Sequence, residues 1–178
     1  MTNAENFEAF VRRYQDMVFA TALRLLGNSS DAEDAAQTVF LRAFERYAQL
    51  AGNPAVGGWL KTTARNVCLN HLSRYRSRWR FFSEMDVHRD LDDRFEDGLE
   101  SRVSRALEDE HRDRLERIER EIHRLPDAQR VALVLFHFEE MGYDEIARTL
   151  RVSVGKVKTD IHRGRQALRR LLTEDATR

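Results

Sequence analysis

Residues Tyr143 to Leu172 read YDEIARTLRVSVGKVKTDIHRGRQALRRLL, which is the pattern of two helices joined by a very short turn. Apolar residues recur at core spacing in the first of these helices: Ile146, Ala147 and Leu150. The turn is Arg151-Val152-Ser153, and serine is a favoured residue at helix N-caps, so a longer second helix is expected from Val154. A connection this short predicts an angular helix-turn-helix unit.

The second helix of this pair has two chemically different sides. At about 100° per residue, one side collects small and apolar residues: Val154, Val157, Ile161, Gly164, Leu168 and Leu172. The other side collects polar and basic residues: Gly155, Lys156, Thr159, His162, Arg163 and Gln166. From Arg151 to Arg170 there are seven lysines or arginines against one acid, Asp160. This segment predicts a helix that lies in the major groove of DNA, and a solvated basic helix is the alternative.

The composition of the whole chain predicts an all-α protein of one or two domains. Its 178 residues include two prolines and eight glycines, which leaves few places where strands could turn. Basic and acidic residues balance at 30 each, so nucleic-acid binding is favoured only because the charges segregate along the chain. The single cysteine, Cys68, fits a helix core, and no Cys/His set has the spacing of a zinc site.

Several functional classes have no sequence support. No apolar run approaches the roughly 18 residues of a membrane span, and the N-terminal MTNAENFEAF lacks the blocks of a signal peptide. There is no phosphate-binding loop, catalytic carboxylate pair or nucleophile with a base. We therefore expect a cytoplasmic protein without membrane insertion, which is not an enzyme and needs no metal or cofactor.

Two helices are predicted at the start of the chain. The first runs from about Asn6 to Leu26, and a capping box at Ser30-Asp31-Ala32-Glu33 opens a second that extends to about Leu50. The core side of the second helix is predicted as Ala36, Val39, Phe40, Ala43 and Tyr47. Its opposite side carries Asp34, Gln37, Thr38, Leu41, Arg42 and Glu45. Leu41 is apolar within a polar face, so it is either a singly exposed leucine without a role or part of a partner surface.

A third helix is predicted from Gly57 or Gly58 to about Arg74. One side is expected to pack: Leu60, Ala64, Val67, Cys68 and His71. Another side carries Trp59, Asn66, Asn70 and Ser73, and an aromatic ring beside amide groups suits a nucleobase. A tryptophan at the start of a helix is also a common core anchor, and that alternative stays open. Beyond this helix, arginines from Arg74 to Arg80 alternate with aromatic residues, which suits a nucleic-acid backbone or a loop packed on the domain.

The charge pattern then changes and divides the chain. From Glu84 to Glu100 there are eight acids against two arginines, which predicts a flexible acidic linker. The expected organisation is therefore two helical domains, residues 1–83 and 104–178, joined by the linker 84–103. The C-terminal domain contains the helix-turn-helix.

Two more helices are predicted between the linker and the helix-turn-helix. A charged helix runs from about Ser104 to Arg124, and an apolar helix runs from Ala128 to about Glu140. The step Leu125-Pro126-Asp127 places a proline and an acid in the first turn of the apolar helix. This apolar helix is the expected centre of the second domain.

Three groups of residues together resemble the bacterial RNA polymerase sigma factors of the extracytoplasmic-function (ECF) class, and they cover nearly the whole chain. The first group is Asp31-Ala32-Glu33-Asp34 with Gln37 and Phe40. The second group is Trp59-Leu60 followed by Ala64-Arg65-Asn66. The third group is Leu125-Pro126 with Arg130, then Tyr143-Asp144-Glu145-Ile146-Ala147 and Val154-Gly155-Lys156-Val157-Lys158. Each group alone is weak, whereas their joint order and distances are specific.

The resemblance implies a sigma factor that binds core RNA polymerase and directs initiation at specific promoters. Residues 1–83 would dock on the polymerase clamp and recognise and melt the -10 element. Residues 104–178 would bind the polymerase flap and read the -35 element, and an anti-sigma factor is a further expected partner. The alternative is an autonomous helix-turn-helix regulator that does not replace a polymerase subunit.

The resemblance also gives each predicted surface a role. The polymerase-binding residues would be Asp34, Gln37, Leu41 and Arg42. The residues at the -10 element would be Trp59, Asn66, Asn70 and Arg74. The residues at the -35 element would be Lys156, Lys158, Thr159, His162 and Arg163. The chain departs from the family pattern at Arg151, where many members have glycine, and at Gly57-Gly58, where a bulky residue is more usual.

Overall fold

The computed structural model describes residues 3–74 and 116–175, and their side chains over residues 6–73 and 116–173. Every regular element in these two ranges is a helix, which confirms the predicted all-α fold. The helices are α1 Asn3–Leu26, α2 Ser29–Glu45, α3 Tyr47–Leu50, α4 Val56–Arg74, α5 over residues 116–122, α6 Asp127–His137, α7 Tyr143–Leu150 and α8 Val154–Asp175. The acidic stretch, the aromatic and basic stretch after α4 and the start of the charged helix lie outside the described residues.

The first four helices form an N-terminal unit in which α1, α2 and α4 enclose an apolar core. The fully or nearly buried residues of this core are Val18, Val39, Ala43, Leu50, Val56, Leu60 and Ala64. Aromatic side chains close its outer end, where the Phe7 ring lies 5.1 Å from the Tyr47 ring. The predicted core side of the third helix is largely confirmed, because Leu60, Ala64 and Cys68 are fully buried.

The start of the second helix differs from the prediction. Asn28 is its N-cap and accepts a hydrogen bond from the Asp31 amide at 2.8 Å, whereas Ser30 lies exposed inside the first turn. The capping box at Ser30 was therefore wrong, because asparagine is as good an N-cap as serine and follows Gly27 directly. Gly27 ends α1 at a φ of 77°, a left-handed conformation that glycine adopts without steric strain. The second helix also ends at Glu45 rather than at Leu50, and the short helix α3 covers Tyr47–Leu50.

The remaining helices form a C-terminal unit with the predicted helix-turn-helix. The apolar helix α6 spans Asp127–His137 and is buried from Arg130 to Leu135, so it is the centre of this unit. It ends three residues earlier than predicted, and Glu140 takes a left-handed φ of 55° in the connection to α7. The helix-turn-helix has the predicted helices and turn, and the predicted Ser153 cap is confirmed because its Oγ accepts from the Lys156 amide at 3.1 Å.

We predict that replacing Arg151 with glycine will stabilise the protein. Arg151 ends α7 in the left-handed region, at φ 54° and ψ 46°, and its side chain is exposed. An L-residue with a Cβ in this conformation carries about 1–2 kcal/mol of strain that glycine lacks, partly offset by the larger entropy of glycine in the unfolded chain. The free energy of unfolding should therefore rise by roughly 0.5–1 kcal/mol in urea denaturation. Arg151→Ala keeps the Cβ and serves as the control, and an equal gain in both variants would contradict backbone strain as the cause.

The N-terminal and C-terminal units pack against each other in this structure. One apolar cluster contains buried residues of both units, among them Leu25, Leu26, Cys68 and Leu72 on one side and Ile122, Leu125 and Val131 on the other. A buried arginine joins the units as well: Arg130 of α6 donates to the carbonyl oxygens of Leu25 and Leu26 at the end of α1, at 3.5 and 3.0 Å. The two units therefore share an interface with an apolar cluster and a buried arginine.

Candidate functional site

The exposed side of α8 carries the residues predicted to read DNA. Lys158 and Arg163 are exposed, whereas Lys156, Thr159 and His162 are half-buried. The opposite side packs as predicted, because Val157, Ile161 and Gly164 are buried against the rest of the unit. A Cβ at Gly164 would lie 3.1 Å from Leu133 of α6, so this glycine allows the two helices to approach closely. The packing holds α8 with its polar side outward.

Two of the cations on α8 have partners within the same unit. Lys156 forms an ion pair with Asp160 one turn later, and the Asp160 side chain is only 9% exposed. Burial raises the pKa of the Asp160 carboxyl, and the nearby charges of Lys156 and Arg163 oppose that rise. The ammonium of Lys158 lies 5.7 Å from the centre of the Tyr143 ring. These contacts orient Lys156 and Lys158 along the helix surface.

The predicted -10 residues on α4 divide into an exposed pair and a packed aromatic. Asn66 and Asn70 are exposed on one side of the helix, one turn apart. Trp59 is half-buried and packs against the N-terminal core, and its carbonyl accepts a hydrogen bond from the Thr63 hydroxyl at 2.8 Å. The side chain of Arg74 lies outside the described part of the chain. The structure therefore brings the two asparagines together and leaves the Trp59 ring in the domain packing.

The polar side of α2 borders an apolar groove. Leu41 and Phe44 are exposed at 67% and 57%, which is unusual for large apolar side chains. They line a groove of about 690 Å³ between α1 and α2 together with Phe7, Val11, Phe19 and Phe40. Of the other predicted polymerase-binding residues, Gln37 lines the groove as well, and Asp34 and Arg42 are exposed on the same helix outside its lining.

Phe44 was not predicted as part of this surface. It follows Leu41 by three residues, which puts both side chains on one side of a helix. Its ring also meets the Phe7 ring edge-on, with centroids 5.0 Å apart. The signal for Phe44 was available in the helical spacing, because an exposed leucine with an aromatic neighbour one turn away forms a patch and not a single exposed residue.

A second group of residues was also missed, because its members are far apart in the chain. Lys61 and Arg65 of α4 face Glu139, whose side chain is only 3% exposed, with nitrogen to oxygen distances of 3.6 and 3.8 Å. Lys61 also donates to the carbonyl oxygen of Phe138 at 2.8 Å. No local pattern pairs residues more than seventy positions apart, so sequence spacing contained no signal for this group.

Within residues 3–74 and 116–175, no cluster of His, Cys, Asp or Glu has the arrangement of a metal site. No helix in the same ranges is long and apolar enough to cross a membrane. The thiol of Cys68 is buried, and that burial raises its pKa to about 12. This thiol therefore has none of the thiolate character of a reactive cysteine at neutral pH.

Comparison with known proteins matches both units to one family. The family model of Sigma-70 region 2 matches residues 10–79, and the family model of Sigma-70, region 4, matches residues 115–168. The ECF RNA polymerase sigma factor SigW of Bacillus subtilis is 31% identical over 174 residues, which cover 94% of this chain and 89% of that protein. The RNA polymerase sigma-H factor of Pseudomonas aeruginosa is 30% identical over 175 residues, covering 93% of this chain and 86% of that protein.

A solved structure is similar over most of the chain as well. The sigma factor RpoE in complex with the anti-sigma factor NepR from Bartonella quintana has a TM-score of 0.48 and 20% sequence identity, covering 95% of this chain and 98% of that one. The chain belongs to the ECF sigma factors of RNA polymerase. Sigma factors direct core RNA polymerase to promoters, and the polymerase carries out the chemistry.

Proposed function

We propose that this sigma factor uses three separate surfaces: the groove side of α2 for core polymerase, the asparagine side of α4 for the -10 element, and the polar side of α8 for the -35 element. The observation that carries the proposal is α8, a helix in a helix-turn-helix whose one side is buried and whose other side is exposed and basic. A packed helix with an exposed basic side fits the major groove, and phosphate attraction adds to its affinity.

A transcription assay with purified components tests this proposal. The protein is mixed with core RNA polymerase and the DNA upstream of its own gene, and the transcripts are mapped. A discrete start site that depends on the protein is the expected result. An autonomous regulator would act only when another sigma factor is present, so a start site that appears only after adding a second sigma factor would favour that alternative.

At the -35 element, we assign the DNA contacts to Lys156, Lys158, Thr159, His162 and Arg163. Arg163 is the exposed arginine in the middle of the polar side, where a guanidinium can read a base edge. Lys156 lies near the start of α8, where its ammonium can approach a backbone phosphate.

Replacing Arg163 with alanine should therefore weaken binding to the correct -35 site by roughly 1–3 kcal/mol and leave other sequences nearly unaffected. Lys156→Ala is the matched comparison, because the loss of a phosphate contact weakens all sequences alike and lowers the salt dependence by about one charge. Fluorescence anisotropy with -35 variants at several salt concentrations measures both effects. If Arg163→Ala distinguishes the -35 variants as well as wild type does, Arg163 does not read a base.

At the -10 element, we assign base recognition to Asn66, with Asn70 and Arg74 beside it and Trp59 as a brace. Trp59 and Asn66 are seven residues apart, about 10 Å along the helix, so one base cannot stack on the ring and also bond to the amide. The packing of Trp59 against the domain core supports this division of roles.

The variant Asn66→Ala should fold and bind polymerase normally and form closed complexes that open about tenfold less often. The reason is that an extruded base then lacks the hydrogen bonds that offset its unstacking, which costs a few kcal/mol. Permanganate reactivity of promoter thymines measures opening, and the melting temperature controls for folding. Asn70→Ala is the matched comparison one turn away. Normal promoter opening by Asn66→Ala would mean that another residue recognises the extruded base.

The partners that follow from this proposal are the clamp and flap of core polymerase, promoter DNA and an anti-sigma factor. The protein would then act in the cytoplasm, where the polymerase and the DNA are. Co-purification of the protein with core polymerase from a cell lysate, with Leu41 variants as controls, tests the first of these partners.

A further inference from the structure

One acidic residue interrupts the basic segment of α8. Between Arg151 and Arg170 the chain has seven lysines or arginines, and the single acid among them is Asp160. A negative charge at this place opposes the attraction between the helix and the phosphates of DNA. None of the three surfaces proposed above uses this residue.

Asp160 lies at the border between the buried side and the polar side of α8. The residue is 6% exposed, and its neighbours one turn away on the buried side are Val157 and Gly164. Its neighbours one turn away on the polar side are Lys156 and Arg163, and the charges of both act on its carboxylate. Asp160 is therefore too buried to contact a base edge, but it lies beside two of the cations assigned to the -35 element.

The carboxylate of Asp160 holds the side chain of Lys156 against the helix. Lys156 Nζ donates to Asp160 Oδ1 in an ion pair, and the lysine side chain is 27% exposed. A lysine has a flexible stem of four carbons, so without such a partner its ammonium samples many positions. The pair restricts the ammonium to one place near the start of the polar side. It also makes this part of the helix locally neutral.

We propose that Asp160 is a positioning residue that sets the specificity of -35 binding through Lys156. With the ammonium held in one place, Lys156 contacts a phosphate when α8 is docked in the correct register. The same restraint keeps the ammonium from following phosphates on unrelated DNA. This inference rests on the proposed function, because Lys156 is assigned there to the -35 element.

Two physical effects of the ion pair carry this role. First, the pair orders the Lys156 side chain before DNA binds, so less side-chain entropy is lost when the phosphate contact forms. This gain applies only where a phosphate meets the fixed ammonium. Second, the charge of Asp160 offsets that of Lys156, which weakens the attraction of α8 for all DNA. Together the two effects favour the correct site over other sequences.

The alternative is that the ion pair only stabilises α8, as pairs four residues apart in a helix do. Loss of Asp160 would then lower the melting temperature and weaken binding to every DNA by the same factor. A specificity role predicts the opposite sign on unrelated DNA, because a freed lysine binds it more tightly. The sign of this change therefore separates the two roles.

The test measures the affinity of the full chain for two DNA duplexes by fluorescence anisotropy at several salt concentrations. The site duplex carries the sequence that the full chain selects from a random pool, and the unrelated duplex has the same length. The variant Asp160→Asn removes the charge and keeps the size of the side chain. Asp144→Asn is the matched control, because it makes the same change at an exposed residue of α7.

At about 0.1 M salt, Asp160→Asn is expected to bind the unrelated duplex roughly eightfold more tightly than wild type, because one freed cation adds about 0.9 to the slope of log K against log salt. Affinity for the site duplex should stay within about twofold of wild type, because the lost ordering of Lys156 offsets the gain in charge. The ratio of the two affinities should therefore fall about fourfold or more. Asp144→Asn should change both affinities by the same factor.

Two further variants show whether the effect passes through Lys156. Asp160→Glu keeps a carboxylate that can reach Lys156 one turn away, so it should retain the wild-type ratio of affinities. The double variant Lys156→Ala with Asp160→Asn is compared with Lys156→Ala alone. Because the lysine is absent from both, the loss of the Asp160 charge should cause no further fall in the ratio.

Weaker or unchanged binding of the unrelated duplex by Asp160→Asn would overturn the proposal, and so would an equal gain on both duplexes. A ratio that falls as far in the Lys156→Ala background would show that Asp160 does not act through Lys156. Melting temperatures establish that the variants are folded, and Asp160→Ser, which also removes the charge, must give the same result as Asp160→Asn.

Failure of this proposal is distinguishable from failure of the proposed function. A protein that shows these shifts in DNA affinity and yet starts no transcript with core polymerase would contradict the sigma function and leave the role of Asp160 intact. A protein that starts transcripts and lacks the shifts would contradict the role of Asp160 alone.

Discussion

The variant Arg130→Ala is expected to lose about 3–5 kcal/mol of the free energy of unfolding. Arg130 is almost completely buried, and its guanidinium donates to three carbonyl oxygens, those of Leu25, Leu26 and Leu125, and to the carboxylate of Asp127. Truncation leaves those carbonyls without their donor, at about 1–3 kcal/mol for each group that water does not reach. Asp127 is half exposed and regains water, so it adds little to the loss.

The loss should come mostly from the interface between the two units. Two of the three carbonyl acceptors belong to α1, and a Cβ at Gly27 would lie only 2.5 Å from the guanidinium carbon of Arg130. The Arg130 side chain therefore occupies the space that a side chain at position 27 would need. Urea denaturation measures the loss, and Arg120→Ala is the control, because Arg120 is an exposed arginine of the neighbouring helix α5.

The control should stay within about 0.5 kcal/mol of wild type, as substitutions of exposed residues usually do. Equal stability of Arg130→Ala and Arg120→Ala would mean that the buried arginine does not hold the units together. Gly27→Ala gives a second measurement of the same contact, and it should also destabilise the protein because of its left-handed φ and its overlap with Arg130.

The helical parts of the fold were predictable because their signals are local. The helix-turn-helix appeared as apolar residues at helical spacing on both sides of a three-residue turn, and the Ser153 cap followed from residue type. The start of α2 was harder to predict, because Asn28, Ser29 and Ser30 are all of residue types that are favoured at helix N-caps. The end of α1 at Gly27 selects the first of them.

The interface between the units was not predictable from local spacing. Arg130 directly precedes the apolar run Val131–Phe136, but its acceptors on α1 lie about a hundred residues earlier. Glu139 likewise occurs next to Glu140 in the sequence, and only the fold buries one and exposes the other. Contacts of this kind depend on how two separately predictable units pack.

The candidate site was predictable to the extent that it lies on single helices. The separation of Leu41 from the core side of α2 follows from the helical period, and the structure shows the same side chain at 67% exposure. The groove beside it needed α1, because Phe7 and Val11 form its other wall. A surface formed by two helices appears in the sequence as two separate segments, and the spacing within each segment does not show that they lie side by side.

Replacing Leu41 with glutamate is expected to weaken binding to core polymerase strongly without affecting folding. Leu41 is exposed, so the free energy of unfolding should change by no more than about 0.5 kcal/mol. Buried apolar residues at the centre of an interface contribute about 2 kcal/mol or more, and a carboxylate in their place adds an unpaired charge. Affinity for core polymerase should therefore fall about 100-fold.

Two matched variants make this result specific to the groove. Phe44→Glu should behave like Leu41→Glu, because both side chains line the same groove and are exposed to a similar degree. Glu45→Gln changes an exposed neighbour that does not line the groove, and it should bind polymerase as wild type does. Affinity is measured by titration of labelled protein with core polymerase, and folding is measured by the melting temperature.

Each outcome has a separate physical meaning. A large fall in melting temperature for Leu41→Glu would show that the leucine is part of the folded core in solution, which its exposure contradicts. Full affinity in both Leu41→Glu and Phe44→Glu would show that polymerase does not bind at the groove. Loss in Phe44→Glu alone would centre the contact on the aromatic end of the groove, where the Phe7 ring meets Phe44. A loss of affinity in both variants, with normal melting temperatures, is the result expected if polymerase contacts the whole groove. Exposed apolar surface of this kind is typical of a site that a partner protein covers.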